Sequence, residues 1–206
     1  MKNKKLENSV KSLITLYTVV IGAALSLAVA RAIDAKDGLT SISGVSIFLF
    51  VCFVVTLFPF FHGALRHLDD TFVEDLSPNI KTGALIIDFA LLFLHALAFV
   101  VLSQLLQRPS HFAWVLLAVL AIDVVWGTFT HFAASSGNKL SAESKWTIVN
   151  FFFIAIVAFH LVYNDIFLTH SRDALKLSIL LSIACVLRST VDYVWCRDLY
   201  FPKPEQ

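Results

Sequence analysis

The sequence predicts an all-α, polytopic membrane protein whose six transmembrane helices form three up-down hairpins within one domain, residues 1–206. Three observations carry that expectation. The chain is 58% hydrophobic and only 15% charged, with 19 Phe, far from the balance of a soluble domain. Its apolar residues gather into six runs, each near the roughly 20 residues that a helix needs to cross a hydrocarbon core. Between the runs lie polar breaks rich in charge, Gly, Pro, Ser and Asn.

The first span, about 12–31, follows the basic stretch "MKNKKLENSVK" and lacks a small-residue cleavage site, so it reads as a retained helix and not a removed signal. "RAIDAKDG" separates it from the second span, 44–63, where Pro59 is expected to kink the inner end. "RHLDDTFVEDLSPNIK" precedes the third span, 83–105, and "QRPS" makes a tight link to the fourth, 111–133. "SSGNKLSAESK" leads to the fifth, 146–168, and "THSRD" to the sixth, 174–197. None of these breaks is long enough for a domain of its own.

Lys and Arg distribute unevenly between the two sides. Lys2, Lys4, Lys5, Lys11, Arg66, Lys81, Lys139, Lys145, Arg197 and Lys203 fall on one, against Arg31, Lys36, Arg108, Arg172 and Lys176 on the other. The positive-inside tendency then puts both termini in the cytoplasm and the protein in the cytoplasmic (inner) membrane as a multi-pass protein. A net charge of +1 gives no basic excess for nucleic acid. Cys52, Cys185 and Cys196 all lie in apolar runs and read as small packing residues.

Ionisable groups inside spans are costly, so they tend to face the bundle interior and to pair or line a wet cavity. Here they are Asp88, Asp123, Arg188 and Asp192, with Asn150, His95 and His160 as polar company. The third and fifth spans start inside, and the fourth and sixth finish there. Asp88, Asn150, Asp123, Arg188 and Asp192 are therefore expected in the same half of the membrane. Residues 122–132, "IDVVWGTFTHF", also align with 191–201, "VDYVWCRDLYF", which pairs Asp123 with Asp192 and Trp126 with Trp195 and hints at an internal repeat. Trp126 and Trp195 are thus expected to wall one site. Arg188 and Asp192, four residues apart, could instead simply neutralise each other on one helix face.

Two further features bear on function. Ser178, Ser182, Cys185, Ser189, Asp192 and Cys196 recur at steps of three and four, giving the sixth span a small, weakly polar face suited to close packing or to lining a path. Gly22, Ser26 and Ala30 make a similar face on the first span. In "FPFFHGALRHLDDTFVED", His62 and Arg66 share a helix face and four acids follow, which fits a cytoplasmic vestibule or a lip that docks a protein partner. Six short spans with both ends inside, together with the Gly22, Ser26 and Ala30 face, resemble the substrate-binding subunits of energy-coupling vitamin transporters. Those bind ligand near the outer surface, whereas the polar residues here gather inside, so the resemblance is architectural.

The expected function is a channel or transporter-like protein that binds or conducts a small solute or ion through a polar cavity open to the cytoplasm. Asp88, Asp123, Asn150, Arg188, Asp192, Trp126, Trp195, His62 and Arg66 are its candidate ligand- or ion-binding residues. A bundle this small would form a pore more readily at an oligomeric axis, so a homo-oligomer in the lipid bilayer is expected. Two other classes compete: a signalling or effector subunit docking a cytoplasmic protein through residues 62–81, and an intramembrane isomerase or lyase using Asp as acid and base. No cofactor or metal is expected. The seven histidines are scattered and no phosphate loop or nucleophile motif is present.

Overall fold

The computed structural model describes residues 2–36, 39–41, 43–74, 82–134, 142–167 and 174–201. Six long helices dominate: α1 (Lys2–Ala32), α2 (Gly44–Asp69), α3 (Thr82–Gln104), α4 (Pro109–Ala134), α5 (Ala142–Phe167) and α6 (Ala174–Trp195). A one-turn helix, α7 (Arg197–Tyr200), follows α6, and a π-helical turn, Asp70–Glu74, extends α2. The chain also contains one element the sequence did not announce. Strands β1 (Asp34–Lys36) and β2 (Leu39–Ser41) pair antiparallel, with Ala35 opposite Thr40, in the connection after α1.

All six helices are long and apolar enough to span a membrane. Their outward faces carry large apolar side chains, including Val19, Ile86, Val125, Phe129, Phe159 and Val194. Water would not tolerate so much of it, and lipid would. Helix α1 starts ten residues before its apolar run because the charged lead-in is itself helical, with Lys11 Nζ paired to Glu7 Oε1 at 2.6 Å one turn away. Helix α2 starts at a Ser43 cap, whose hydroxyl accepts from Ser46 N–H, and runs past its expected end.

Pro59 does not end α2. Proline has no N–H to give to the carbonyl four residues back, which here belongs to Val55. That orphaned oxygen is met from another helix: Ser189 Oγ donates to Val55 O at 2.6 Å. The same seam continues with Ser182 Oγ donating to Phe48 O and with Cys52 and Cys185, whose sulfurs lie 2.8 Å apart as free thiols. Contacts at 48, 52 and 55 on α2 meet 182, 185 and 189 on α6 in rising order, so these helices run parallel. From Ser182 to Ser189 the small face of α6 is therefore a packing seam against α2.

The closest helix pairs are α1 with α3, α2 with α6, and α4 with α5. Only α4 and α5 are consecutive in the chain, and even they belong to different expected hairpins, which would pair α1 with α2, α3 with α4 and α5 with α6. Lipid offers no sidedness that would make consecutive helices the best partners, and close packing and interhelical hydrogen bonds decide instead. Arg31 Nε donates to Gln104 Oε1 at 3.0 Å and ties the C-terminal ends of α1 and α3 together. Helix α1 buries Tyr17, Ile21, Ala24, Ala28 and Ala32 against the bundle. This corrects the sequence reading, because Gly22, Ser26 and Ala30 lie on the exposed face of α1 and Gly22 has open space where a Cβ would be.

Candidate functional site

At one end of the bundle, where α2, α4 and α6 finish and α3 and α5 begin, the helices part around a cavity. Pro59, Phe60, Gly63, Ala64 and His67 of α2 form one wall, and Asp88, Leu91, Leu92 and His95 of α3 another. Asp123, Trp126 and Gly127 of α4, Trp146 of α5, Arg188 and Asp192 of α6, and Tyr200 of α7 complete it. At a rise of about 1.5 Å per residue, Asp192 lies about 5 Å and Asp123 about 16 Å inside the ends of their helices.

The polar residues of α3, α4, α5 and α6 gather at this one end of the bundle. Arg188 is only 6% exposed and Asp192 1%. Yet no ion pair joins them, although they sit one turn apart on α6. Arg188 Nε instead donates to Asn150 Oδ1 at 2.8 Å, and Asn150 Nδ2 donates in turn to Asp123 Oδ2. The Arg188 guanidinium also lies 5.1 Å from the centre of the Phe60 ring. Asn150 is thus the bridge that holds an arginine and an aspartate of different helices in fixed positions.

Asp192 is oriented from the other side. Cys196 breaks α6 from α7, and the single turn of α7 returns Tyr200 so that its hydroxyl donates to Asp192 Oδ2 at 3.0 Å. Tyr200 is pinned among the rings of Tyr193 at 4.5 Å, His62 at 4.9 Å and Trp146 at 6.2 Å. Burial, and then the neighbouring Asp192 carboxylate, pushes the Tyr200 phenol well above the ordinary tyrosine range. Its proton therefore stays in place to serve the carboxylate. Asp88 is engaged separately, with His67 Nε2 3.2 Å from its Oδ2.

Four cavity-lining residues have a buried polar atom without a hydrogen-bond partner: Arg188 Nη1, Asp192 Oδ1, His95 Nδ1 and Trp146 Nε1. Native interiors seldom leave such atoms unmet, and each costs about 1–3 kcal/mol when left alone. For His95, Nε2 faces the Val119 carbonyl at 3.4 Å, and a carbonyl can only accept, so Nε2 carries a proton and Nδ1 is an acceptor whenever the ring is neutral. The walls thus hold two unmet donors, on Arg188 and Trp146, and two unmet acceptors, on Asp192 and His95.

Of the residues singled out from sequence, Asp88, Asp123, Arg188, Asp192 and Trp126 line the cavity, and Asn150 braces it from behind. Trp195 does not join them. It is 40% exposed, and Lys145 Nζ donates to its backbone oxygen at 3.1 Å. The α6 helix ends there and the chain turns away, so the Asp-x-x-Trp spacing that puts Trp126 in the wall fails to do so for Trp195. His62 packs on Tyr193, Tyr200 and Phe201, and Arg66 reaches Asp70 at 2.6 Å, Asp69 at 3.5 Å and the Leu199 carbonyl at 3.2 Å. Both belong to the lip that holds α7 in place and not to the cavity wall. Part of the proposed docking loop, 75–81, lies outside the described residues.

Sequence reasoning passed over His67, Trp146 and Tyr200 as cavity residues. One signal was available at Gly63. A Cβ there would come within 2.9 Å of Trp146 Cζ2, so the glycine marks where a ring presses against α2. Among the described residues no group of three or more His, Cys, Asp or Glu side chains is arranged to hold a metal ion. The chain matches no family model, no curated protein and no solved structure.

Proposed function

We propose that this multi-pass membrane protein binds a small polar solute in the cavity between α2, α3, α4, α5 and α6 and passes it across the membrane, in the manner of a transporter or channel. The observation that carries this is the set of four unmet polar atoms on the walls of one cavity. Structural glue would satisfy its own groups, because a half-satisfied buried network is worse than an apolar one. A binding site leaves them open. Asp88, Asp123 and Asp192 supply carboxylates, Arg188 offsets part of their charge, and Trp126 forms an apolar wall.

The three-hairpin topology, the cytoplasmic placement of both termini and the inner-membrane location belong to the same proposal, supported by the Lys and Arg distribution. The cavity then opens on the cytoplasmic side. Self-association is supported by the exposed Gly22, Ser26 and Ala30 face of α1, which has the small-xxx-small pattern of helix pairs in lipid.

The test is thermal unfolding in nanodiscs against a panel of small polar solutes, with flux measured in proteoliposomes. Solutes that raise the melting temperature of the wild type should lose that effect in Asp192→Asn and Arg188→Gln, while the unliganded melting temperature of Asp192→Asn stays near that of the wild type. A large loss of unliganded stability in Asp192→Asn, with no solute effect in the wild type, would show the charges to be glue. Gly22→Leu should shift the protein toward monomer in light scattering; an unchanged mass would remove α1 as the contact.

A further inference from the structure

The unmet groups sort into opposite kinds, and this restricts what can occupy the cavity. Arg188 and Asp192 carry opposite charges one helical turn apart, a rise of about 6 Å. Each is turned from the other by a different neighbour: Asn150 of α5 holds the guanidinium at 2.8 Å, and Tyr200 of α7 holds the carboxylate at 3.0 Å. Two opposite charges so close would normally collapse onto each other in a low-dielectric site. Keeping them apart leaves one donor atom and one acceptor atom unmet. Trp146 Nε1 adds a second donor, and His95 Nδ1 a second acceptor.

We infer that the occupant is a small zwitterion, a carboxylate and an ammonium carried on one or two carbons, as in the smallest amino acids. This rests on the solute-binding reading given above and narrows it. The carboxylate has two oxygens for Arg188 and Trp146, and the ammonium has protons for Asp192 and His95. In an α-amino acid the nitrogen and the carboxyl carbon are about 2.5 Å apart. With a hydrogen bond of about 2.9 Å at each end, the molecule spans roughly 8 Å, enough to bridge the two charges along α6.

Size and charge agree. The space open to the centres of water molecules is about 60 Å³. At about 10–15 Å³ for each water position, this holds roughly four to six waters, or a ligand of about that many non-hydrogen atoms. A lone anion would add to the charge of three carboxylates facing one arginine and leave Asp192 Oδ1 unmet, and a lone cation would leave Arg188 Nη1 unmet. A zwitterion meets both.

The experiment measures binding of glycine and alanine in nanodiscs, with acetate, methylammonium and urea as one-ended or neutral controls. Glycine or alanine should bind at least tenfold more tightly than any control. Asp192→Asn should weaken glycine at least tenfold, and Trp146→Phe, which removes one N–H and keeps the ring, should weaken it severalfold. Trp195→Ala should leave it unchanged. Acetate or methylammonium binding as tightly as glycine would overturn the zwitterion and leave a one-ended solute site standing. Urea binding as tightly as glycine would overturn it in favour of a neutral ligand. If none of the five binds, the zwitterion is refuted, and the solute reading is then judged separately on the broader panel and on flux.

Discussion

Replacing Gly63 with Ala separates the stability of the bundle from the shape of its cavity. An added Cβ would meet Trp146 Cζ2 at 2.9 Å and Cη2 at 3.0 Å, with Tyr200 Oη at 3.6 Å. Carbon atoms rest at about 3.5–4.0 Å, so the indole must retreat by about 0.6–1 Å. Overpacking of this kind costs about 1–3 kcal/mol, while exchanging a helical glycine for alanine returns about 0.5–1 kcal/mol. The net loss of stability should therefore be about 2 kcal/mol or less. Binding should suffer more, because a site loses function when its groups move beyond about 0.5 Å from their productive places, and Trp146 carries one of the unmet donors. We expect Gly63→Ala to unfold within a few degrees of the wild type and to lose at least tenfold in solute affinity, measured by thermal unfolding and titration on the same nanodisc sample. Unchanged affinity would refute the placement of the Trp146 edge in the cavity wall. A collapse of stability with no ligand effect would show that Gly63 serves packing alone.

Other consequences can be tested alongside. Asn150→Leu leaves both Arg188 Nε and Asp123 Oδ2 without their partner, at about 1–3 kcal/mol for each orphaned group; unfolding should fall by several kcal/mol, and a loss under 1 kcal/mol would dismiss the bridge. Tyr200→Phe should be less stable than the wild type by about 1.5–3 kcal/mol, the range for a hydrogen bond to a charged group. Because the folded-state pKa of Tyr200 is raised, this contribution is complete below the unfolded value of about 10 and declines only as pH climbs toward the folded value. The difference between the two proteins should stay level from about pH 7 to 9.5 and shrink above about pH 10; a change below pH 9 would contradict the assignment. A thiol oxidant such as diamide should join Cys52 to Cys185, transferring two electrons and two protons to the diamide, and leave Cys196 a thiol that alkylates after denaturation. Mass spectrometry that finds Cys196 in the crosslink would refute the α2–α6 register.

The spans were legible because the bilayer imposes them: length and apolarity alone mark 44–63 or 174–197, and the helices found there begin at Gly44 and Ala174. That the buried polar groups gather at one end of the bundle followed from counting residues along alternating helices. Helix partners did not follow, because a lipid-facing side chain is as apolar as a core one. Leu187 is exposed and Leu181 is buried, yet nothing in their identity separates them. The same blindness hid Trp146 and Tyr200, since aromatics at helix ends ordinarily sit in the interface. The repeat was half informative. It found Asp123 and Asp192, both in the cavity wall, but it could not see that α6 stops at Trp195 and turns its indole outward.

The Ser189 hydroxyl that serves Val55 reaches across 134 residues of sequence. During synthesis α2 enters the membrane long before α6 exists. Until the last span arrives, the oxygen freed by Pro59 is an unmet polar group in hydrocarbon, a state that costs several kcal/mol. Arrival of the sixth helix removes that cost, so the second helix is fully satisfied only in the complete bundle, and a product truncated before residue 174 would keep the oxygen unmet.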